Sequence, residues 1–120
     1  MARGQTAVSI TVEKFLDIVS DYKLKTLAGE NGLGNIVEWF HFVEDDYEIQ
    51  FVNEKELVFS CGQYLQDADA FQRFIQQLIQ RQCSGLVIAI GHHIQQIPQS
   101  VIQFCNEQNF PLLQISINAN

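Results

Sequence analysis

The 120-residue sequence predicts one α/β domain: a mostly parallel sheet with helices packed on it, plus an N-terminal helix and a β-hairpin-like unit. Short apolar runs rich in β-branched residues, such as residues 85–91, indicate buried strands. These runs alternate with segments whose apolar residues recur every three or four positions, as in residues 71–79, which indicates amphipathic helices. Alternating strands and helices favour a parallel sheet with crossover connections, and the length allows one hydrophobic core.

The first half of the chain predicts a helix followed by strands. Residues 1–9 are expected to be loose or disordered, and the domain is expected to occupy residues 10–120. Thr11 is suited to cap a helix whose apolar positions follow the helical period. A short strand at residues 25–29 and a longer β-like run at residues 36–43 lie on either side of a turn-forming segment. Since the longer run is apolar on both faces, it is expected to be buried on both sides.

The second half predicts the order strand, helix, strand, helix, strand. An acidic segment comes first and is expected to be a loop or short helix with Ile49, Phe51 and Val52 turned inward. Residues 57–61 read as a buried strand that ends at Gly62. The remaining elements are a helix capped by Asp67 or Asp69, the strand at 85–91, a helix starting at Pro98, and a strand at 112–116 after Pro111.

The charge of the chain argues against nucleic-acid binding by this segment. The formal net charge is −7, and the seven lysines and arginines form no run, whereas nucleic-acid affinity depends on cations that neutralise phosphates. An anionic membrane surface is disfavoured for the same reason. Acidic residues concentrate between Glu44 and Glu56, and this segment is interpreted either as a solvated surface or as a patch for a basic partner.

Cysteine usage indicates a reducing compartment. Cys61, Cys83 and Cys105 are odd in number and show no C-x-x-C spacing, so a disulfide framework or zinc motif is disfavoured. Residues 1–9 lack the apolar core of a signal peptide, and the longest apolar run, residues 86–90, is too short to span a bilayer. The sequence therefore predicts a cytoplasmic protein with free thiols.

Candidate ligand-binding residues lie where two predicted strands end. In open parallel sheets, ligands bind outside the carboxyl ends of strands. One such end carries Ser60-Cys61-Gly62 and the other carries Gly91-His92, with Glu44 and His41 expected behind them. Glycine permits close backbone approach there, although ordinary turn formation explains the same residues.

Catalytic and metal-binding interpretations of these residues are weaker. Cys61 could act as a nucleophile with His92 or His93 as base, and these histidines with His41 could bind a metal. However, no Cys–His enzyme signature surrounds Cys61, and adjacent histidines usually point apart. G-x-G-x-x-G, P-loop, G-x-S-x-G and H-E-x-x-H motifs are absent from the sequence. The sequence therefore predicts a domain that is not an enzyme and holds no metal or other cofactor.

Several short motifs occur in an order and spacing that resemble one known family. They are residues 10–12, 27–29, 32–33, 37–41 reaching Glu44, 74–75, 85–86, 90–91, 97–98 and 110–113. Residues 56–62, Glu-Leu-Val-Phe-Ser-Cys-Gly, are similar to a family segment that reads Glu-Leu-Val-Leu-Thr-Thr-Gly. Over residues 10–117 the chain resembles the N-terminal domain of PucR-like transcriptional regulators, the purine catabolism regulatory protein-like family.

The resemblance implies a signal-receiving domain in the control of purine or other nitrogen-compound breakdown. It also implies that DNA is bound by a C-terminal helix-turn-helix that is not part of this chain. A purine-like or other nitrogen-containing effector at the strand ends is the expected ligand, and a homo-oligomer or another regulator subunit the expected partner. The alternatives are a stand-alone interaction or dimerisation module, using a strand edge or the glutamine-rich helix face, and a Cys61-dependent enzyme.

Overall fold

A computed structural model describes residues 9–63, 65, 67–91 and 93–116, and within them it shows an α/β fold. Its regular elements, in chain order, are β1 (Ile10–Thr11), α1 (Val12–Ile18), β2 (Lys25–Ala28), β3 (Ile36–Val37), β4 (Trp39–Phe42), β5 (Glu56–Ser60), α2 (Ala68–Gln80), β6 (Gly85–Ile90), α3 (Gln99–Glu107) and β7 (Leu112–Ser116). Short 3-10 turns occupy Ser20–Tyr22, Glu30–Gly32 and Glu48–Phe51. The order β5–α2–β6–α3–β7 confirms the predicted alternation of strands and helices.

The main sheet has five strands in the order β2-β7-β6-β5-β4. Strands β4, β5, β6 and β7 are parallel, and β2 joins the β7 edge in the antiparallel direction. The carboxyl ends of the four parallel strands therefore lie at one edge of the molecule, which is where ligands of open parallel sheets bind.

Side-chain hydrogen bonds cap the first turns of α1 and α2. The Thr11 side chain accepts a hydrogen bond from the Lys14 N–H at the start of α1. Asp67, and not Asp69, caps α2 by accepting from the Ala70 N–H at 2.8 Å. Each of these bonds satisfies a backbone donor that has no partner inside the helix. The apolar stripe of α2 then buries Phe71, Phe74, Ile75 and Leu78.

The two faces of the sheet are covered unequally. Helices α2 and α3 contribute to one core with the sheet residues Val58, Leu86, Ile88 and Leu112. On the other face the residues Val12, Phe15 and Val37 pack on Leu57, Val87 and Leu113. This second cover depends on α1, which has seven residues. Further along the same strands Phe59, Ala89 and Ile115 are partly exposed, so the cover ends before the strands do.

The apolar run at residues 36–43 differs from the expectation. It breaks at Glu38 into β3, which pairs with β1, and β4, which forms the outer edge of the main sheet. Trp39, Phe40 and Phe42 are 47%, 45% and 67% exposed, so the prediction of burial on both sides is wrong for this strand. An edge strand has a neighbour on one side, and its outer side chains are left open where no helix reaches them.

The predicted hairpin-like unit also takes another form. Strands β2 and β4 lie at opposite edges of the main sheet and do not pair with each other. The antiparallel ladder near the N-terminus is formed by β1 and β3, with Ile10 opposite Val37. In the acidic segment Ile49 and Val52 are buried as predicted, whereas Phe51 is 52% exposed.

Gly29 ends β2 in a conformation that a larger residue would strain. Its φ is +73°, and a Cβ atom at this position would overlap the carbonyl group of Phe110. Its N–H donates to Asn106 Oδ1 at 2.8 Å, which ties β2 to the end of α3. Gly34, by contrast, lies outside the positive-φ residues and has no atom within 4 Å of the place a Cβ would take.

We therefore expect Gly29→Ala to lower the free energy of unfolding by about 2 kcal/mol or more, because strained φ and overlap with a backbone carbonyl add together. Gly34→Ala is the matched control and should change it by no more than about 1 kcal/mol, with either sign. Urea denaturation of both variants measures the difference. Equal effects of the two substitutions would contradict the close packing described for Gly29.

Candidate functional site

A small apolar hollow opens on the α1 face of the sheet, at the carboxyl ends of the parallel strands. Its volume is about 130 Å³. The lining residues are Phe42, Glu44, Phe59, Ser60, Cys61, Val87, Ala89 and Ile115. Strand register explains this set, since Phe42, Phe59 and Val87 lie side by side, and Ala89 and Ile115 are paired one step further on. The hollow is therefore a part of this face that α1 covers incompletely.

Aromatic rings form one wall of the hollow. The ring centroids of Phe42 and Phe59 are 5.2 Å apart, and their planes meet at 31°. Phe59 also contacts the rings of Phe40, at 6.0 Å, and Phe15, at 6.2 Å. Three rings therefore contact Phe59, and a planar apolar group can pack on the part of this ring that stays exposed.

Glu44 supplies the charged group of the hollow. The backbone N–H of Cys61 donates to both carboxylate oxygens of Glu44, at 3.2 Å each. The N–H of Glu44 in turn donates to Glu48 Oε1 at 2.6 Å. These bonds hold the carboxylate over the end of β5. An apolar concavity with one fixed polar group is typical of small-molecule sites.

The thiol of Cys61 lacks the character of an activated nucleophile. Burial, and then the negative charge and hydrogen bond of Glu44, raise the pKa of Cys61 above its ordinary value. A catalytic cysteine has the opposite shift, because the thiolate is the nucleophile. Cys83 and Cys105 are buried free thiols whose pKa is raised to about 12, with burial as the main cause.

Three of the residues predicted for the site line the hollow, namely Glu44, Ser60 and Cys61. Gly91 follows β6 at the same edge, because Ser60 and Ile88 are paired in the parallel ladder of β5 and β6. Gly62 is not among the lining residues, and it packs instead on Ile94: a Cβ on Gly62 would overlap the Ile94 side chain, and the Gly91 N–H donates to the Ile94 carbonyl at 2.8 Å. Here the absence of a side chain on Gly62 allows close packing on Ile94.

The structure places His41 away from these residues. Its Nδ1 is 2.9 Å from Glu56 Oε1, and Glu56 is 2% exposed. His41 pairs with Val58, so it shares the sheet face that α2 and α3 cover, opposite to the hollow. Glu56 also accepts from the Asn53 N–H at 2.9 Å. His92 lies outside the described residues.

The sequence interpretation missed the apolar lining of Phe42, Phe59, Val87, Ala89 and Ile115. Each of these residues reads as an ordinary core position of a strand. One signal was available, since the helical pattern after Thr11 is short compared with the strands it must cover. A short helix cannot shield the full length of a five- or six-residue strand.

Two larger cavities lie elsewhere on the chain. One, of about 310 Å³, is lined mainly by polar and charged residues such as Asn35, Lys55 and Gln82 near the amino ends of the strands. The other, of about 320 Å³, is formed by residues 93–96 and Pro98 with Leu65 and Phe71. Among the residues that the structure describes, no three His, Cys, Asp or Glu side chains cluster as a metal site would require. No helix in the same part of the chain has the length and apolar character to cross a bilayer.

Comparison with known proteins shows a family and a curated relative. The model of the purine catabolism regulatory protein-like family matches residues 16–120. A purine catabolism regulatory protein of Bacillus subtilis (strain 168) is 23% identical over 90 residues, which cover 74% of this chain and 17% of that protein. The chain thus corresponds to about a sixth of the length of this curated relative.

Among solved structures, the chain is similar to the CBS and DRTGG domains of the regulatory region of Clostridium perfringens pyrophosphatase, complexed with the activator diadenosine tetraphosphate. The TM-score is 0.49 and the sequence identity is 16%, with 88% of this chain and 40% of that chain covered.

The contact between Glu44 and Cys61 gives a prediction for thiol reactivity. Iodoacetamide should label Cys61 with a pH midpoint above that of a free thiol. Glu44→Gln should move the midpoint to lower pH, because removing a nearby negative charge favours the thiolate, and burial should still keep it above the free value. Glu13→Gln, which removes the same charge on α1, should leave the midpoint unchanged. A midpoint below the free-thiol value would contradict the inert character of Cys61.

Proposed function

Because the chain belongs to the purine catabolism regulatory protein-like family, we propose that it is the signal-receiving domain of a transcriptional regulator. In this proposal the domain binds a small nitrogen-containing molecule in the hollow between Phe42, Glu44, Phe59 and Ala89. It acts in the cytoplasm, does no chemistry on its ligand and leaves DNA contact to another part of the regulator.

The observation that carries the proposal is the exposed apolar hollow with a fixed carboxylate at its rim. A planar ring would pack on Phe59 and Phe42, and its N–H groups would donate to Glu44. The volume of about 130 Å³ suits one small heterocycle. It is smaller than the pockets of drug-sized ligands, which have volumes of about 300 Å³ or more. Purine-related bases and their breakdown products have this size and carry several N–H donors.

The charge of Glu44 narrows the ligand class further. A carboxylate favours a neutral or protonated donor and disfavours an anion, and a largely apolar surrounding strengthens both effects. The proposed effector is therefore a heterocycle that carries no negative charge, and not a carboxylate or phosphate. This selection would separate neutral purine bases from their ionised oxidation products.

Ligand binding in the hollow would change the conformational equilibrium of β4. Phe42 is 67% exposed in the described conformation, so a ligand that covers it favours the state in which Phe42 lies against Phe59. A ligand can shift an equilibrium between two conformations by the difference of its affinities for them. The end of β4 and the acidic segment that follows it are the parts such a shift would move first.

The net charge supports the assignment of DNA contact to another part of the protein. With fourteen acidic residues against seven lysines and arginines, this chain would be repelled by a phosphate backbone. The raised pKa of Cys61 supports a binding role over nucleophilic catalysis.

A thermal-shift screen tests the proposal. Hypoxanthine, xanthine, allantoin and urate, each at up to millimolar concentration within its solubility, provide neutral and anionic members of the ligand class. A neutral ligand at ten times its Kd should raise the Tm by about 5 °C, because it binds the folded state and not the unfolded chain.

Two variants locate the site. Ala89→Leu fills the hollow and should abolish the rise in Tm. Glu44→Gln should raise the Kd of the ligand about tenfold, because a charge-assisted hydrogen bond is lost. Glu13→Gln serves as the charge-matched control and should keep the shift. The proposal fails if no compound shifts the Tm, or if Ala89→Leu, with a normal melting transition, binds as well as the original chain.

A further inference from the structure

The outer edge of β4 is rich in exposed aromatic side chains. Trp39, Phe40 and Phe42 are between 45% and 67% exposed. Within the described residues, β4 is the last strand of the main sheet and pairs with β5 on one side. Exposed edge strands are usually protected by lysine, proline or a bulge, because their free backbone groups can pair with another chain. β4 has neither lysine nor proline, and its register with β5 is regular.

The backbone of β4 is oriented to accept a further strand. The Val43 N–H donates to the Phe59 carbonyl at 2.9 Å, so the backbone at Val43 points toward β5. Backbone groups alternate in direction along a strand. The N–H and C=O groups of Phe40 and Phe42 therefore point away from the sheet.

Acidic residues bracket this edge. From Thr26 to Glu54 the chain contains seven carboxylates and no lysine or arginine. Glu38 precedes β4, and Glu44, Asp45 and Asp46 follow it. Lys55 Nζ lies 3.9 Å from Glu38 Oε2, and this exposed contact neutralises little of the acidic segment.

We propose that the edge formed by residues 38–46 binds an extended basic segment of a partner protein as an added strand. The partner backbone pairs with Phe40 and Phe42, and its apolar side chains cover the exposed rings. Its lysine or arginine side chains reach Glu38 at one end of β4 and Asp45 at the other. Strand addition of this kind takes affinity from the backbone bonds and specificity from side chains on alternate positions.

A second copy of this chain fits the same edge poorly. Two copies related by a two-fold axis would pair their β4 strands in the antiparallel direction. Glu38 of one copy would then lie near Glu44 and Asp45 of the other, and like charges facing across strands destabilise the pair. The net charge of −7 on each copy adds to this repulsion. Charge complementarity therefore points to a basic partner.

The test uses a labelled nine-residue peptide of alternating lysine and valine, with blocked ends, and fluorescence anisotropy in low and high salt. We expect saturable binding whose Kd rises at least about fivefold in high salt, because salt screens the attraction between exposed charges. Hydrogen exchange of the Phe40 and Phe42 amides should slow when the peptide binds. A peptide with glutamate in place of lysine should bind at least about tenfold more weakly.

The double variant Glu38→Gln/Asp45→Asn should weaken peptide binding about fivefold, since two rim charges are lost. Glu13→Gln/Asp21→Asn removes the same charge from the N-terminal region and should change binding less than twofold. The proposal is overturned if both variants weaken binding equally, if exchange slows away from β4, or if the glutamate peptide binds as well. It is also overturned if the free chain dimerises in sedimentation with its Phe40 and Phe42 amides protected, because a second copy then occupies the edge.

Discussion

The unequal cover of the sheet is the constraint on which the rest of this structure depends. Parallel strands are normally buried on both faces, and here one face has α2 and α3 while the other has α1. Seven helical residues extend about 10 Å, whereas the six residues of β6 extend about 20 Å. The face is therefore only partly covered at Phe59, Ala89 and Ile115, and the short first helix leaves room there for the hollow.

The chemistry of the hollow follows from what surrounds it. The Cys61 N–H holds the Glu44 carboxylate, and burial, together with the charge of Glu44, raises the pKa of the Cys61 thiol. The thiol that looks reactive in sequence is thus one whose surroundings disfavour the reactive thiolate. Phe59 gives the site an apolar surface, so the arrangement favours reversible binding over bond formation.

The sequence predicted the fold class well wherever local patterns decide structure. The stripe from Phe71 to Ile79 and the cap at Asp67 defined α2, and the motif order pointed to the family that the comparison shows. The edge position of β4 was not predictable, because an apolar edge strand and a buried strand have the same pattern. The pairing of β2 with β7 joins residues far apart in the chain, and no local signal specifies it. For the candidate site, strand-end glycines and polar residues indicated the edge of the sheet at which the hollow opens, while the lining depended on how far α1 covers the strands.

Phe42 and Glu44 belong both to the hollow and to the acidic edge of β4. Under the two proposals, a ligand packed on Phe42 and a partner strand paired beside Phe42 order the same exposed side chain. The binding of the first of these molecules includes the loss of conformational entropy when the Phe42 side chain becomes ordered. The second molecule then binds to a side chain that is already ordered. Such coupling is reciprocal: a ligand that strengthens partner binding must itself be bound more tightly when the partner is present. Under the two proposals, a domain this small would therefore pass a signal from its ligand to another protein through one strand, without a change of fold.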